Sequence, residues 1–230
     1  MNEFVQSSVM FGVFISLMAY EIGRGIQKKT KKAFCNPLLI GILLVIVFLM
    51  IFDIEYVIYF ESAKMLGYLL TPATVCLAIP LYEKVQLLKA NWKAIIGGIA
   101  IGTFVSLFSI FVIGLLLRIE HVQYVTLLPK SITTAIGLGV SEELGGYGTI
   151  TVACIVITGI LGNVCAEWVC KVFKIKSPIA KGIAIGTSAH ALGTARALEM
   201  GRIEGAMSSL SIVVAGIMTV VLAPLFASFL

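Results

Sequence analysis

Charge is what this chain has least of: Asp, Glu, Lys and Arg make up 13% of its 230 residues, about half the ~25% usual in a soluble domain. That shortage excludes a soluble enzyme, a disordered tail and a nucleic-acid module. Histidine occurs only twice, and the five cysteines form no Cys-x-x-Cys pair. All of them but Cys35 lie in apolar segments, where they read as small hydrophobes, not disulfide partners or metal ligands. Gly-x-Ser-x-Gly, His-Glu-x-x-His and phosphate-loop patterns are all missing, so neither catalysis nor a cofactor is expected. The chain opens Met1-Asn2-Glu3, acidic where a secretory signal would be basic, so the first apolar run is expected to be retained.

Apolar residues, 59% of the chain, dominate what is there, with a mean hydropathy of +1.05. At about 20 residues per crossing this predicts an all-α polytopic membrane protein, one integral domain over 1–230 with about seven transmembrane helices in the lipid bilayer. The net charge of +5 does not point to nucleic acid, because the basic residues sit between apolar runs. Arg24, Lys28, Lys29, Lys31 and Lys32 form an acid-free loop after the first run (4–22), which the positive-inside rule places in the cytoplasm. Pro37 opens the most hydrophobic run (37–52), and Asp53, Glu55 and Glu61 make the next loop acidic. The N-terminus is therefore expected outside.

The run 62–82 is broken at Thr71-Pro72-Ala73-Thr74 and again at Pro80, and Lys84, Lys89 and Lys93 follow it. A long span over 94–117 ends at Arg118, and the stretch 118–130 is near charge balance. Residues 129–148 are too polar and glycine-rich to face lipid and too apolar for an ordinary loop. A re-entrant element buried in protein fits them. A clear helix over 149–173 ends in Lys171, Lys174 and Lys176, placing that end inside. A second broken run (178–198) and a last span (206–228) follow, and counting crossings puts the C-terminus in the cytoplasm.

The two broken runs correspond. A gapless shift of 118 residues pairs Thr71–Thr74 with Ala189–Leu192 and Gly98 with Gly216. With 62–82 running inward and 178–198 outward, this predicts an inverted repeat of about 62–117 with about 178–228. That is a transporter-like architecture whose broken helices place a ligand near the midplane.

The polar residues in these segments are the candidate binding groups. Arg196 is planar and bidentate, suited to a carboxylate, unless it snorkels at the membrane edge. His190, six residues earlier, would bind the same anion, carry a coupled proton or simply pack; Gly193 offers the break that would bring the pair together. Ser131, Thr133 and Thr134 supply hydroxyls beside Lys130 and also suit a helix cap. Thr71 and Thr74 flank Pro72, where hydroxyls also repair a proline kink. Glu142, Glu143 and Glu167 read as surface or interfacial groups.

Lys130-Ser131-Ile132-Thr133-Thr134, Ser141-Glu142-Glu143-Leu144-Gly145-Gly146, Ser177-Pro178-Ile179-Ala180-Lys181-Gly182 and Gly186-Thr187-Ser188-Ala189-His190-Ala191-Leu192-Gly193-Thr194-Ala195-Arg196-Ala197 resemble the LrgB/CidB family, with Ala135 where its members usually have proline. The resemblance covers nearly the whole chain and implies a bacterial cell membrane. It also implies two functions. One is holin- or antiholin-like control of murein hydrolases and lysis, with a small LrgA/CidA-like membrane partner. The other is transport of small carboxylates of the pyruvate, glycolate or glycerate type, as in a plant plastidal relative. It directs functional expectation to Ser131, Thr133, Thr134, Ser188, His190, Gly193, Thr194 and Arg196. The polar breaks favour a proton- or cation-coupled monocarboxylate transporter, as a homo-oligomer, over a lysis regulator.

Overall fold

An apolar chain without water to bond its backbone must close its hydrogen bonds within each segment, and helices do this. In the computed structural model, which describes residues 10–30, 37–69, 72, 75, 76 and 78–230, every regular element among the described residues is helical. Ten helices are named here: α1 (Phe11–Thr30), α2 (Pro37–Ile51), α3 (Tyr56–Tyr68), α4 (Ala78–Glu83), α5 (Val85–Leu117), α6 (His121–Leu127), α7 (Thr134–Glu143), α8 (Gly148–Val172), α9 (Pro178–Met200) and α10 (Arg202–Ala227). They fall into two compact units, Met1–Cys76 and Leu77–Leu230.

The first unit is a three-helix cluster closed by small residues. Gly12 of α1 lies against Ala63 of α3, and its N–H donates to Ser62 Oγ at 3.1 Å. Ser16 Oγ pairs with the Tyr59 hydroxyl at 2.7 Å. Gly41 of α2 packs on the Tyr20 backbone. Leu43, Ile46, Val47, Met50 and Ile51 of α2 stay exposed, as lipid-facing residues would.

The second unit holds three helices long and apolar enough to cross a membrane: α5, α8 and α10. α5 kinks at Asn91, whose φ and ψ of −119° and 15° leave the helical region, and its side-chain amide donates to Leu87 O at 3.0 Å. From there α5 and α10 run in the same direction. Ile95 and Ile99 cluster with Ala206 and Met207, and farther along Phe104 meets Phe226 at 5.7 Å and Phe111 meets Phe229 at 5.9 Å between ring centroids. The expected inverted repeat of 62–117 with 178–228 has these two helices run oppositely, and the described residues do not confirm it.

The cause is α9, which does not cross. At Ala189 (φ −131°, ψ 15°) and His190 (φ 41°, ψ −137°) the helix leaves its dihedrals and folds back. A Cβ on Gly186 would touch Ser208 O at 2.5 Å, and Thr194 Oγ1 bonds Ser208 Oγ at 2.7 Å. A straight helix would hold residues 186 and 194 about 12 Å apart, yet both reach Ser208. Ile185 and Ala197 likewise share one core cluster with Ala166. α9 is therefore a helical hairpin that enters and leaves at the Lys174 end of the unit. The C-terminus consequently lies at the Arg118 end, where the Tyr124 hydroxyl donates to Phe226 O at 2.9 Å. The expectation that Arg118 and the C-terminus lie at opposite ends is corrected accordingly.

A second hairpin enters from the Arg118 end. α6 descends from Tyr124, packed against Gly114, to Leu128, packed against Leu107. α7 then climbs from Gly137, against Ile155, to Ser141, whose Oγ accepts from Thr151 Oγ1 at 2.6 Å. The re-entrant element expected over 129–148 thus occupies about 121–143, because the polar stretch before Pro129 also coils into a helix.

Candidate functional site

The two hairpins point at each other, and their tips, Pro129–Thr133 and Thr187–Ala191, converge between α5 and α10. Leu128, Ser131 and Ile132 from one tip, Thr187 from the other, Thr103, Ser106 and Leu107 from α5, and Ala215 and Thr219 from α10 enclose a cavity of about 10 Å³. That is about the room of one water. Counting residues back from Leu117, Ser106 lies about 16 Å and Thr103 about 21 Å down the helix axis. For a hydrocarbon core of about 30 Å, the cavity sits near mid-depth.

The lining is hydroxyl-rich and incompletely bonded. Thr187 Oγ1 donates to Ile183 O at 2.8 Å and Thr219 Oγ1 to Ala215 O at 2.7 Å, so their remaining capacity is as acceptors. Ser131 Oγ pairs with Ser106 Oγ at 2.9 Å and accepts from Lys130 Nζ at 3.1 Å. Thr103 is 2% exposed, and its Oγ1 has no partner. Lys130 itself is half-buried, and no carboxylate pairs with it among the described residues. An uncompensated ammonium at this depth is costly and marks a functional site by default. Sequence reading noted Lys130 only as a neighbour of Ser131, and it missed Thr103 and Ser106. A lysine at the tip of the re-entrant stretch was the available signal for the first. The other two lie in an apolar helix, and sequence offers no signal for them.

The α9 tip is bonded throughout. His190, 4% exposed, donates from Nε2 to Ile155 O at 3.0 Å. Asn163 Nδ2 donates to Leu192 O at 2.6 Å. Thr194 Oγ1 donates to His190 O at 2.9 Å and therefore accepts from Ser208. Gly159 and Gly162 of α8 let the turn approach: a Cβ at residue 159 would meet His190 Cε1 at 2.6 Å, and one at 162 would collide with Ala189 Cβ.

The predicted residues therefore separate. Ser131 lines the cavity. Thr133 is the N-cap residue of α7, without a side-chain cap bond, and Thr134 is exposed. Ser188 is exposed and bonds back to Ala184 O at 2.7 Å. Gly193 is buried against Ala189 and Ile185 and is not the break. Arg196 does not join His190: it reaches Glu167 Oε1 at 2.6 Å and Glu199 Oε2 at 2.5 Å, so the chain supplies its own carboxylates. Thr71 and Thr74 lie outside the described residues. No His/Cys/Asp/Glu group able to hold a metal is found among the described residues.

Comparison with known proteins completes the picture. The model of the LrgB-like family matches residues 16–229. The antiholin-like proteins LrgB of Bacillus cereus (strain B4264) and Bacillus anthracis (strain A0248) are each 38% identical over 221 residues, covering 96% of this chain and 96% of the relative. No solved structure matches. The chain belongs to the LrgB-like family.

Proposed function

We propose that this LrgB-like chain is an antiholin-like membrane protein that restrains lysis by limiting murein hydrolase action, working with a small LrgA/CidA-like membrane partner. The observation that carries this reading is the match at 38% identity along almost the full length of both chains to proteins named antiholin-like. The protein sits in the bacterial cell membrane. The positive-inside rule assigns the end bearing Lys171, Lys174, Lys176 and Arg202 to the cytoplasm, which places the C-terminus outside. Deleting the gene should speed detergent-triggered autolysis, and restoring the chain together with its partner should slow it. Unchanged autolysis in both strains overturns the reading.

A second reading, transport of a small monocarboxylate such as pyruvate, glycolate or glycerate, is favoured by one specific feature. Two opposed hairpin tips enclose hydroxyls beside an unpaired lysine at mid-depth. A lesion-forming or purely scaffolding protein has no need of such a site, whereas a carboxylate needs a cation and a hydroxyl donor, here Lys130 and the unpartnered Thr103, with the two tips parting to admit more than the present room for one water. Lys130, not Arg196, is then the anion-binding residue, with Ser131 and Ser106 beside it, and proton or cation coupling would act at the same tips. Uptake of labelled pyruvate and glycolate into liposomes, with and without the partner, tests this. Saturable uptake supports transport, and no uptake by folded protein returns the chain to the regulator reading.

A further inference from the structure

We propose that the basic cavity at the Lys174 end of the second unit seats the phosphate headgroup of an anionic phospholipid. The cavity has a volume of about 550 Å³ and is lined by Lys171, Lys174, Lys176, Lys181, Glu167 and Glu204, among others. That is within the ~300–1,000 Å³ of sites for small molecules. Its charge is one-sided once pairing is counted. Glu167 is committed to Arg196 at 2.6 Å, with Lys171 at 4.0 Å from its other oxygen. Lys174, Lys176 and Lys181 form no ion pair among the described residues and face Glu204 as the one remaining carboxylate in the lining.

The lysines are held in place by the way α8 ends. Lys174 takes a left-handed φ of 54°, its N–H donates to Lys171 O at 3.2 Å, and Ile175 N–H donates to Cys170 O at 2.9 Å. This closes the helix and turns the chain directly into Ser177 and Pro178, which begin α9. Lys181 follows one turn along. Three ammonium groups thus come from a fixed turn and the start of the next helix.

The flank of the same helix end selects a lipid over a soluble anion. Trp168 is 65% exposed and Phe173 72% exposed, on a helix apolar and long enough to cross the bilayer. An exposed Trp beside lysines at a helix end is the pattern of the headgroup level, and basic pockets between helices at this level bind anionic headgroups. The aromatic surface would lie along the acyl chains while the lysines hold the phosphate. A soluble phosphate or carboxylate would use the lysines alone. The inference needs the membrane location but neither functional reading.

The test uses the purified full chain in neutral detergent, with native mass spectrometry and thermal melting. Phosphatidylglycerol should remain bound and raise the melting temperature, whereas phosphatidylcholine at equal concentration should not, and the difference should fade as salt is raised. Lys174→Gln combined with Lys176→Gln and Lys181→Gln should weaken phosphatidylglycerol binding at least tenfold. The matching triple change to Arg should preserve it and guards against a folding defect in the first variant. Trp168→Ala with Phe173→Ala should weaken the lipid without creating affinity for glycerol 3-phosphate. Equal effects of the two lipids, an equal effect of glycerol 3-phosphate or pyruvate, or an unaltered lipid preference in the Gln variant would each overturn the proposal.

Discussion

The two hairpins that meet inside the second unit solve one problem in opposite ways. Each must bury a chain reversal where no water can bond the freed backbone. The α9 hairpin spends its polar side chains on the reversal itself, His190 on Ile155 O and Thr194 on His190 O and Ser208, and α8 adds Asn163 on Leu192 O. The α6–α7 hairpin turns with a proline and short 3–4-residue contacts, Lys130 N–H to Leu127 O and Ile132 N–H to Pro129 O. It leaves its lysine and the facing Thr103 without partners that balance them. The difference teaches which polar groups hold the fold and which are available to a ligand. A buried polar group with every bond made is structural until shown otherwise, and one left incomplete at a cost to stability marks the site.

The sharpest way to break this contrast is to remove the open charge. Lys130→Met should abolish any carboxylate uptake, a loss of at least tenfold in initial rate, while the melting temperature holds or rises. A methionine has the length to fill the same space without an uncompensated charge. Uptake that survives this change would remove the α6–α7 tip from the site.

Closing the structural tip should do the reverse. Gly159→Leu drives a side chain into the His190 ring and Leu192, an overpacking cost of roughly 3 kcal/mol, read as a lower melting temperature and loss of monodisperse protein on size exclusion. His190→Ala removes the side-chain bond to Ile155 O and leaves a hole beside it. It should cost about 2 kcal/mol, with residual activity in whatever protein stays folded. A His190 variant of unchanged stability and lost activity would reverse the assignments of the two tips.

Much of this arrangement could be read beforehand. The spans expected at 94–117, 149–173 and 206–228 match α5, α8 and α10 because long apolar runs have one outcome in a bilayer. The re-entrant element was legible because its polarity and the charge alternation agreed. The reversal in α9 was not, because the break falls on Ala189 and His190. Neither is a glycine or proline, and a positive φ on a histidine is uncommon. Gly193 attracted the expectation instead. The overlooked signal was charge: Lys174 and Lys176 precede the segment, Lys181 lies in its first turn and Arg202 follows it, so both ends belong on one side and the segment must fold back. That single reversal puts the C-terminus at the Arg118 end of the second unit, where the expected count of crossings had it at the other end. The pairing of Arg196 with Glu167 was equally hidden, since 29 residues separate them. Only the parallel packing of α8 with the second half of α9 brings them together.

The smallest expected effect tests the contrast at a single atom. If the open tip is kept incomplete for a ligand, the unpartnered Thr103 hydroxyl is a cost that the empty fold bears. Thr103→Val keeps the branched shape and removes the orphaned oxygen, so the protein should gain about 1 kcal/mol, seen as a higher melting temperature in detergent. The same change at Thr194, whose hydroxyl both donates to His190 O and accepts from Ser208, should lose a similar amount, because it leaves His190 O without that donor. The opposite signs are the informative result. Two losses would mean that a bound water already completes Thr103, and the cavity would then be part of the scaffold, like the α9 tip.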